Sequence, residues 1–208
     1  MTFEEAATYP QAAIIALQSL RDKGQIRPGQ KVLINGAGGG MGTFAVQLAK
    51  YFGAEVTGVD STGKLDMLQS IGADHVIDYT QVDYTRTGQQ YDLILDLAAH
   101  RSVSDYRRAL APEGIFMMVG GSVSTLLQVV SLGVLSSRSG NKRIGLNAWK
   151  PNNRKDLAFL AELFEAGKVV PVIDRSYPLS EVPEALRYLE EEPHLGKIVI
   201  TVVPTDES

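Results

Sequence analysis

Residues 35–42 read Asn-Gly-Ala-Gly-Gly-Gly-Met-Gly, a stretch with almost no side chains to keep a ligand away from the backbone. Where such a loop leads straight into a helix, its N–H groups and the positive end of the helix dipole both favour phosphate. Against the dinucleotide fingerprint G-x-G-x-x-G, Ala37, Gly39 and Gly42 take the three glycine positions, and Gly36 supplies the flexibility that Ala37 lacks. Gly38, Gly39, Gly40, Met41 and Gly42 are the candidate phosphate contacts. Eighteen residues beyond Gly42, Asp60 closes a short apolar run. An acid at that spacing suits the ribose hydroxyls of an adenine dinucleotide. Ser61 and Lys64 beside it suit a phosphate carried on that ribose.

Other chemistries compete for the same residues. Gly58 to Leu65 approaches the P-loop pattern G-x-x-x-x-G-K-[ST], but Leu65 stands where a hydroxyl must hold magnesium. An adenosylmethionine-dependent methyltransferase also pairs a glycine loop with an acid after the second strand, and stays open as a remote alternative. Against it stand Asn35, where many such enzymes carry an acid, and Gly42, which packs a helix closely as dinucleotide folds require. No tyrosine has lysine four residues on, so the Tyr-x-x-x-Lys acid of short-chain dehydrogenases is missing, as is the G-x-S-x-G of α/β-hydrolases. Asp92 and Asp96 flank an apolar run and read as strand-end acids rather than a catalytic pair. No catalytic side chain is identified. The chain has no cysteine, and His75, His100 and His194 show no paired ligand spacing, so no metal site is expected.

The elements carrying these residues alternate between helical and strand periods. Helices are expected at Gln11–Lys23, Met41–Phe52, Lys64–Ile71, Ser102–Leu110, Thr125–Leu135, Leu157–Ala166 and Val182–Glu191. Short apolar strands are expected at Lys31–Asn35, Glu55–Val59, His75–Ile77, Tyr91–Leu95, Ile115–Val119, Arg143–Ala148, Val169–Asp174 and Lys197–Val203, with a polar turn at Ser136–Asn141. Strands this continuously apolar, separated by helices, predict an α/β fold with a doubly wound parallel sheet covered on both faces. The length of 208 residues fits one large domain or one and a half. A net charge of −4 offers no field for nucleic acid. No run approaches the roughly 20 apolar residues of a membrane span, and the acidic start at Glu4 and Glu5 lacks a signal peptide's basic region. A cytoplasmic protein with no nucleic-acid or membrane partner is expected.

Phe3-Glu4-Glu5-Ala6-Ala7, Ile14 to Leu20, the glycine loop and Ala45-Val46-Gln47-Leu48-Ala49-Lys50 follow one another as in the medium-chain dehydrogenase/reductase superfamily, which this chain resembles. Ile71 to Tyr79 is similar to its zinc-independent quinone oxidoreductase-like branch, and Leu163 to Lys168, Val172 to Arg175 and Leu195 to Ile200 extend the resemblance through the tail. It implies pyrophosphate at Gly38–Gly42, the adenosine ribose at Asp60, Ser61 and Lys64, and Tyr79 beside the adenosine. Leu97, Ala98, Val119, Gly120 and Gly121 would lie by the second ribose and nicotinamide. The implied reaction is hydride transfer from NADP(H) or NAD(H) to a quinone, activated enone or carbonyl. The branch leans to NADP(H), while Asp60 alone argues for NAD(H). The resemblance further implies a homodimer paired through the edge strand Arg143–Ala148. It divides the chain into a Rossmann domain with its leading helix (1–151) and a remnant (152–208) of the GroES-like lobe with which members begin. That lobe's barrel is not among these residues, so the other reading is a dinucleotide-binding module without catalysis.

Overall fold

The computed structural model describes residues 1–202 apart from 140, 152 and 192, and for 132–139 the backbone alone. Six strands form one sheet: β1 (Lys31–Asn35), β2 (Glu55–Asp60), β3 (His75–Asp78), β4 (Tyr91–Asp96), β5 (Leu110–Met118) and β6 (Arg143–Leu146). Their order is β3-β2-β1-β4-β5-β6, and every pairing is parallel. This is the doubly wound arrangement expected from the apolar strands. The direction of winding reverses between β1 and β4, so their C-terminal ends border a crevice where such sheets take ligands.

The central strands are apolar along their length because both faces are covered. On one face α1 (Phe3–Gln18) and α2 (Gly42–Tyr51) bring Ile14, Leu17, Phe44 and Leu48 against Val32, Ile34 and Leu93. α3 (Leu65–Ser70) adds Leu68 to that layer. On the other face α4 (Val103–Ala109) and α5 (Val123–Ser139) place Val103, Tyr106 and Val129 over Ile94, Phe116 and Ile144. Among the described residues no helix is long and apolar enough to cross a membrane.

After β6 come α6 (Arg154–Glu165), β7 (Ile173–Pro178), α7 (Val182–Glu191) and β8 (Lys197–Thr201), with β7 and β8 forming a separate parallel pair. α6 lies beyond the boundary drawn at 151, yet its Leu160 and Leu163 pack into the same core as Phe44, with Phe164 edge-on to that ring. Two glutamines latch the segment on. Gln18 receives the Lys150 N–H at 2.7 Å and donates to Asp156 at 2.7 Å, while Gln47 accepts from the Val170 N–H and donates to its carbonyl at 2.7 and 2.8 Å.

Several boundaries differ from expectation for local reasons. α1 begins at Phe3, not Gln11, and runs through Pro10, because Thr2 and Glu5 form a capping box upstream. Beyond Gln18 it widens into a π turn, with the Gly24 N–H donating to the Ser19 carbonyl. α5 continues through Ser139, across most of the turn expected at Ser136–Asn141; residue 140 lies outside the described residues. The edge strand β6 ends at Leu146, short of Ala148. β7 starts at Ile173 rather than Val169, since Val169 is buried under α6 and Val170 is held by Gln47. Val203, expected to close the last strand, also lies outside the described residues.

Candidate cofactor site

The glycine loop leaves β1 at Asn35 and turns sharply at Gly36, whose φ of 77° favours glycine. The Gly36 and Ala37 N–H groups both donate to the Val59 carbonyl, at 3.0 and 3.1 Å, which stitches the loop to β2. Each later glycine is small for a different reason. A Cβ on Gly42 would sit 2.3 Å from the Gly36 oxygen, so this glycine lets α2 start against the loop. On Gly38 it would meet the Lys64 side chain at 2.6 Å, and on Gly40 the Lys197 side chain at 2.5 Å. A Cβ on Gly39 would meet only the Gly36 oxygen, at 3.5 Å, so the protein does not need glycine there. Among the described residues no side chain caps α2; the Thr43 N–H donates to the Gly39 carbonyl at 3.1 Å, which leaves the Gly42 and Phe44 N–H groups of the first turn for a ligand.

A cavity of about 480 Å³ opens at this point, along the C-terminal ends of β1, β2 and β4. Gly39, Gly40, Met41 and Gly42 line it together with Asp60, Lys64, Tyr79, Leu97 and Ala98. Gly38, Ser61, Val119, Gly120 and Gly121, expected as contacts, do not line it. The Ser61 N–H donates to Asp60 Oδ1 at 2.9 Å. Gly120 lets β5 approach the Leu97 carbonyl, 2.6 Å from a notional Cβ, and Gly121 forms a bridge with Ala99.

Asp60 is buried, and its oxygens are already engaged by the chain. Oδ2 accepts the Gly38 N–H at 2.8 Å, Oδ1 accepts the Ser61 N–H, and Lys64 Nζ lies 3.7 Å from Oδ1. The acid therefore braces the loop, and the lysine ammonium sits where the loop meets the end of β2. Four cavity residues were not among the candidate contacts: Asn35 and Gly36, which open the loop motif, and His100 and His194, which lie outside it. His100 Nδ1 donates to the Ala98 carbonyl at 2.9 Å, which fixes the ring at the cavity wall. The tail also reaches the loop: the Gly196 N–H donates to the Gly38 carbonyl at 2.9 Å, and Gly196 bridges Gly39. Burial lowers the pKa of Lys197 beside it. A second glycine in a strand-like tail, in Leu195-Gly196-Lys197, was the available hint of close approach.

Residues 71–200 match the sequence profile of zinc-binding dehydrogenases, a stretch that follows the glycine loop, Asp60 and Lys64 and carries Tyr79 and the Leu97–Ala98 loop of the cavity. The chain belongs to that family. It lies within the medium-chain dehydrogenase/reductase superfamily, as the resemblance in its motifs implied. It is 35% identical over 208 residues to 2-methylene-furan-3-one reductase of Solanum lycopersicum, covering 98% of this chain and 48% of that protein. It is 31% identical over 229 residues to NAD(P)H oxidoreductase RTN4IP1, mitochondrial, of Homo sapiens, covering 98% and 57%. The solved quinone oxidoreductase from Coxiella burnetii superposes with a TM-score of 0.83 at 26% identity, over 98% of this chain and 62% of that one. The chain thus spans about half the length of these two curated relatives. The zinc in the family's name does not fit here: the sequence has no cysteine, and the described residues contain no cluster of three or more His, Asp or Glu able to hold a metal. A nicotinamide dinucleotide does fit, because Gly39 leaves open the space a Cβ would fill and Lys64 supplies a cation in the cavity wall beside the loop.

Proposed function

We propose that the chain binds a reduced nicotinamide dinucleotide, NADPH in preference to NADH, and forms the cofactor half of an oxidoreductase acting on a quinone or activated enone. The observation that carries this reading is Gly39 in the wall of the cavity: protein packing explains the glycines at 38, 40 and 42 but leaves the space beside Gly39 open for a ligand. Met41 and the first turn of α2 would hold the pyrophosphate. Lys64 would meet the 2′-phosphate, with Ser61 and Tyr79 at the same end. Asp60 already accepts the Gly38 and Ser61 amides and has Lys64 3.7 Å from Oδ1, so its negative charge, which would repel a 2′-phosphate, is partly offset. This favours NADPH over the NAD(H) reading that the acid alone suggested. Leu97 and Ala98 would flank the second ribose and nicotinamide, with Gly120 and Gly121 allowing β5 to press against that loop.

The bound cofactor supplies the hydride, and the protein supplies position and electrostatics. Hydride transfer needs donor and acceptor carbons held roughly 3–3.5 Å apart. The glycine loop and the Leu97–Ala98 loop can fix one face of the ring. We assign the binding of the acceptor to the part of the relatives' length that this chain does not span, so these 208 residues bind cofactor but turn over slowly. Fluorescence titration should show saturable NADPH binding. NADPH oxidation with a soluble quinone should stay below about 1 s⁻¹, the low end of the enzyme range. No saturable binding would overturn the cofactor reading, and faster turnover would overturn the division of labour. Two-fold pairing through β6 belongs to the same proposal. β6 pairs with β5 alone among the described strands, and Val123, Leu127 and Val130 of the adjacent α5 are exposed.

A further inference from the structure

Asp96 closes β4 directly beneath the Leu97–Ala98 loop and is fully buried. Its Oδ1 accepts the Asn35 side-chain amide at 2.8 Å and the Ala98 N–H at 3.0 Å, and its Oδ2 accepts the Tyr84 hydroxyl at 3.4 Å. Its main-chain carbonyl accepts the Val119 N–H at 2.9 Å. One residue therefore ties the end of β1, its own loop and the end of β5 at the point where the sheet reverses its winding. Burial holds the carboxyl above the ordinary carboxylate range, so the fold retains an acid that its surroundings disfavour.

The far side of this network is closed by protein. Tyr106 stacks on Phe116 with ring centroids 4.0 Å apart and its hydroxyl accepts the Arg101 N–H at 3.1 Å, while the Arg101 guanidinium pairs with Asp83 at 2.8 Å. Its near side is the cavity, which Asn35 and Ala98 both line. Asn35 Oδ1 has no hydrogen-bond partner among the described residues, since its amide nitrogen is the group spent on Asp96. An apolar residue at 96 would suit the core as well, but it would release the Ala98 peptide and let Asn35 turn.

We propose that Asp96 is the positioning residue of the nicotinamide half of the site: it touches no ligand, and it fixes the Ala98 peptide and the Asn35 side chain that border that half. The proposal rests on the cofactor reading above. It separates the two halves of the dinucleotide, because Lys64 and the glycine loop bind through contacts that Asp96 does not make.

The test compares NADPH with 2′-phospho-ADP-ribose, which lacks only the nicotinamide, by calorimetry on the whole chain. Asp96→Ala should weaken NADPH about tenfold, the scale of one unsatisfied buried hydrogen bond. It should leave 2′-phospho-ADP-ribose within about twofold. Asp96→Asn keeps an acceptor for Asn35 and Ala98 and should restore NADPH binding. If the alanine variant fails to fold, Asp96→Ser serves, since its hydroxyl is one bond too short to reach both partners. Unchanged NADPH affinity in a folded Asp96→Ala or Asp96→Ser variant would overturn the proposal while leaving the cofactor reading intact. Equal losses for both ligands would overturn it in favour of a purely structural role. A wild-type protein that binds neither ligand would overturn the cofactor reading, and this inference with it.

Discussion

Gly42→Ala should destabilise the fold, whereas Gly39→Ala should not, although both glycines belong to the same fingerprint. A Cβ at 42 would lie 2.3 Å from the Gly36 oxygen and 2.4 Å from the Ala37 oxygen. Close carbon–oxygen contacts in proteins are roughly 3.3 Å or longer, so the loop and α2 must part by about 1 Å. Neither can yield cheaply. Gly36 is fixed at a φ of 77° with its N–H bonded to Val59, and α2 carries Phe44, Val46 and Leu48, all fully buried. Overpacking of this kind costs about 1–3 kcal/mol, and loosening one or two loop hydrogen bonds adds about 0.5–1.5 kcal/mol each. We expect a loss of about 3 kcal/mol, or about 6–12 °C in Tm for a chain of this size. At Gly39 the only neighbour of a Cβ is 3.5 Å away, an ordinary contact, and Tm should stay within about 2 °C of wild type. Thermal denaturation followed by circular dichroism measures both. A Gly42→Ala variant that melts with the wild type would refute the packing argument.

Lys64→Met should lower NADPH affinity about 10- to 100-fold, the worth of one charge-assisted hydrogen bond to phosphate, with NADH affinity nearly unchanged; equal losses for the two cofactors in competition titrations would contradict the assignment. Asp96 has its pKa raised by burial above the ordinary 3.8, so its stabilising contribution is present at pH below that value and is lost as pH rises through the folded value. The stability of wild type relative to Asp96→Asn should therefore decline from acid to neutral pH in urea denaturation, and a rise would show that hydrogen bonding outweighs desolvation. Light scattering at micromolar concentration should give a dimer mass, and an arginine or lysine in place of Leu127 should shift it to monomer; a monomeric wild type would remove β6 pairing from the account.

The sheet was legible because its strands are buried on both faces and so read as unbroken apolar runs: Lys31–Asn35 was placed to the residue. Boundaries slipped where tertiary contacts override local pattern. The alanine- and leucine-rich pattern puts the helix start at Gln11, but the Thr2–Glu5 box starts it at Phe3, and Val169 reads as strand, but α6 and Gln47 claim that segment. In the site, the glycine loop, Asp60 and Lys64 were visible because their chemistry depends on near-neighbours in sequence. Asn35, His100, His194 and the Gly196 contact were not, because they reach the cavity through the crevice geometry of β1 and β4 and through the return of the tail. The engagement of Asp60 with Gly38 and Ser61 was also hidden, since spacing tells that an acid is near the loop but not which donors reach it first.

The central claim is that a dinucleotide pyrophosphate lies against the Gly39 backbone. Gly39→Val tests it most directly, because the protein around Gly39 has room for a Cβ, whereas a β-branched side chain would stand in the path of a ligand lying against that backbone. Calorimetric titration of NADPH into wild type and the variant, with Tm confirming that both are folded, gives the answer. The account predicts saturable binding to wild type and none measurable to Gly39→Val. Equal affinity for NADPH in a folded Gly39→Val variant would place the cofactor elsewhere and contradict the account.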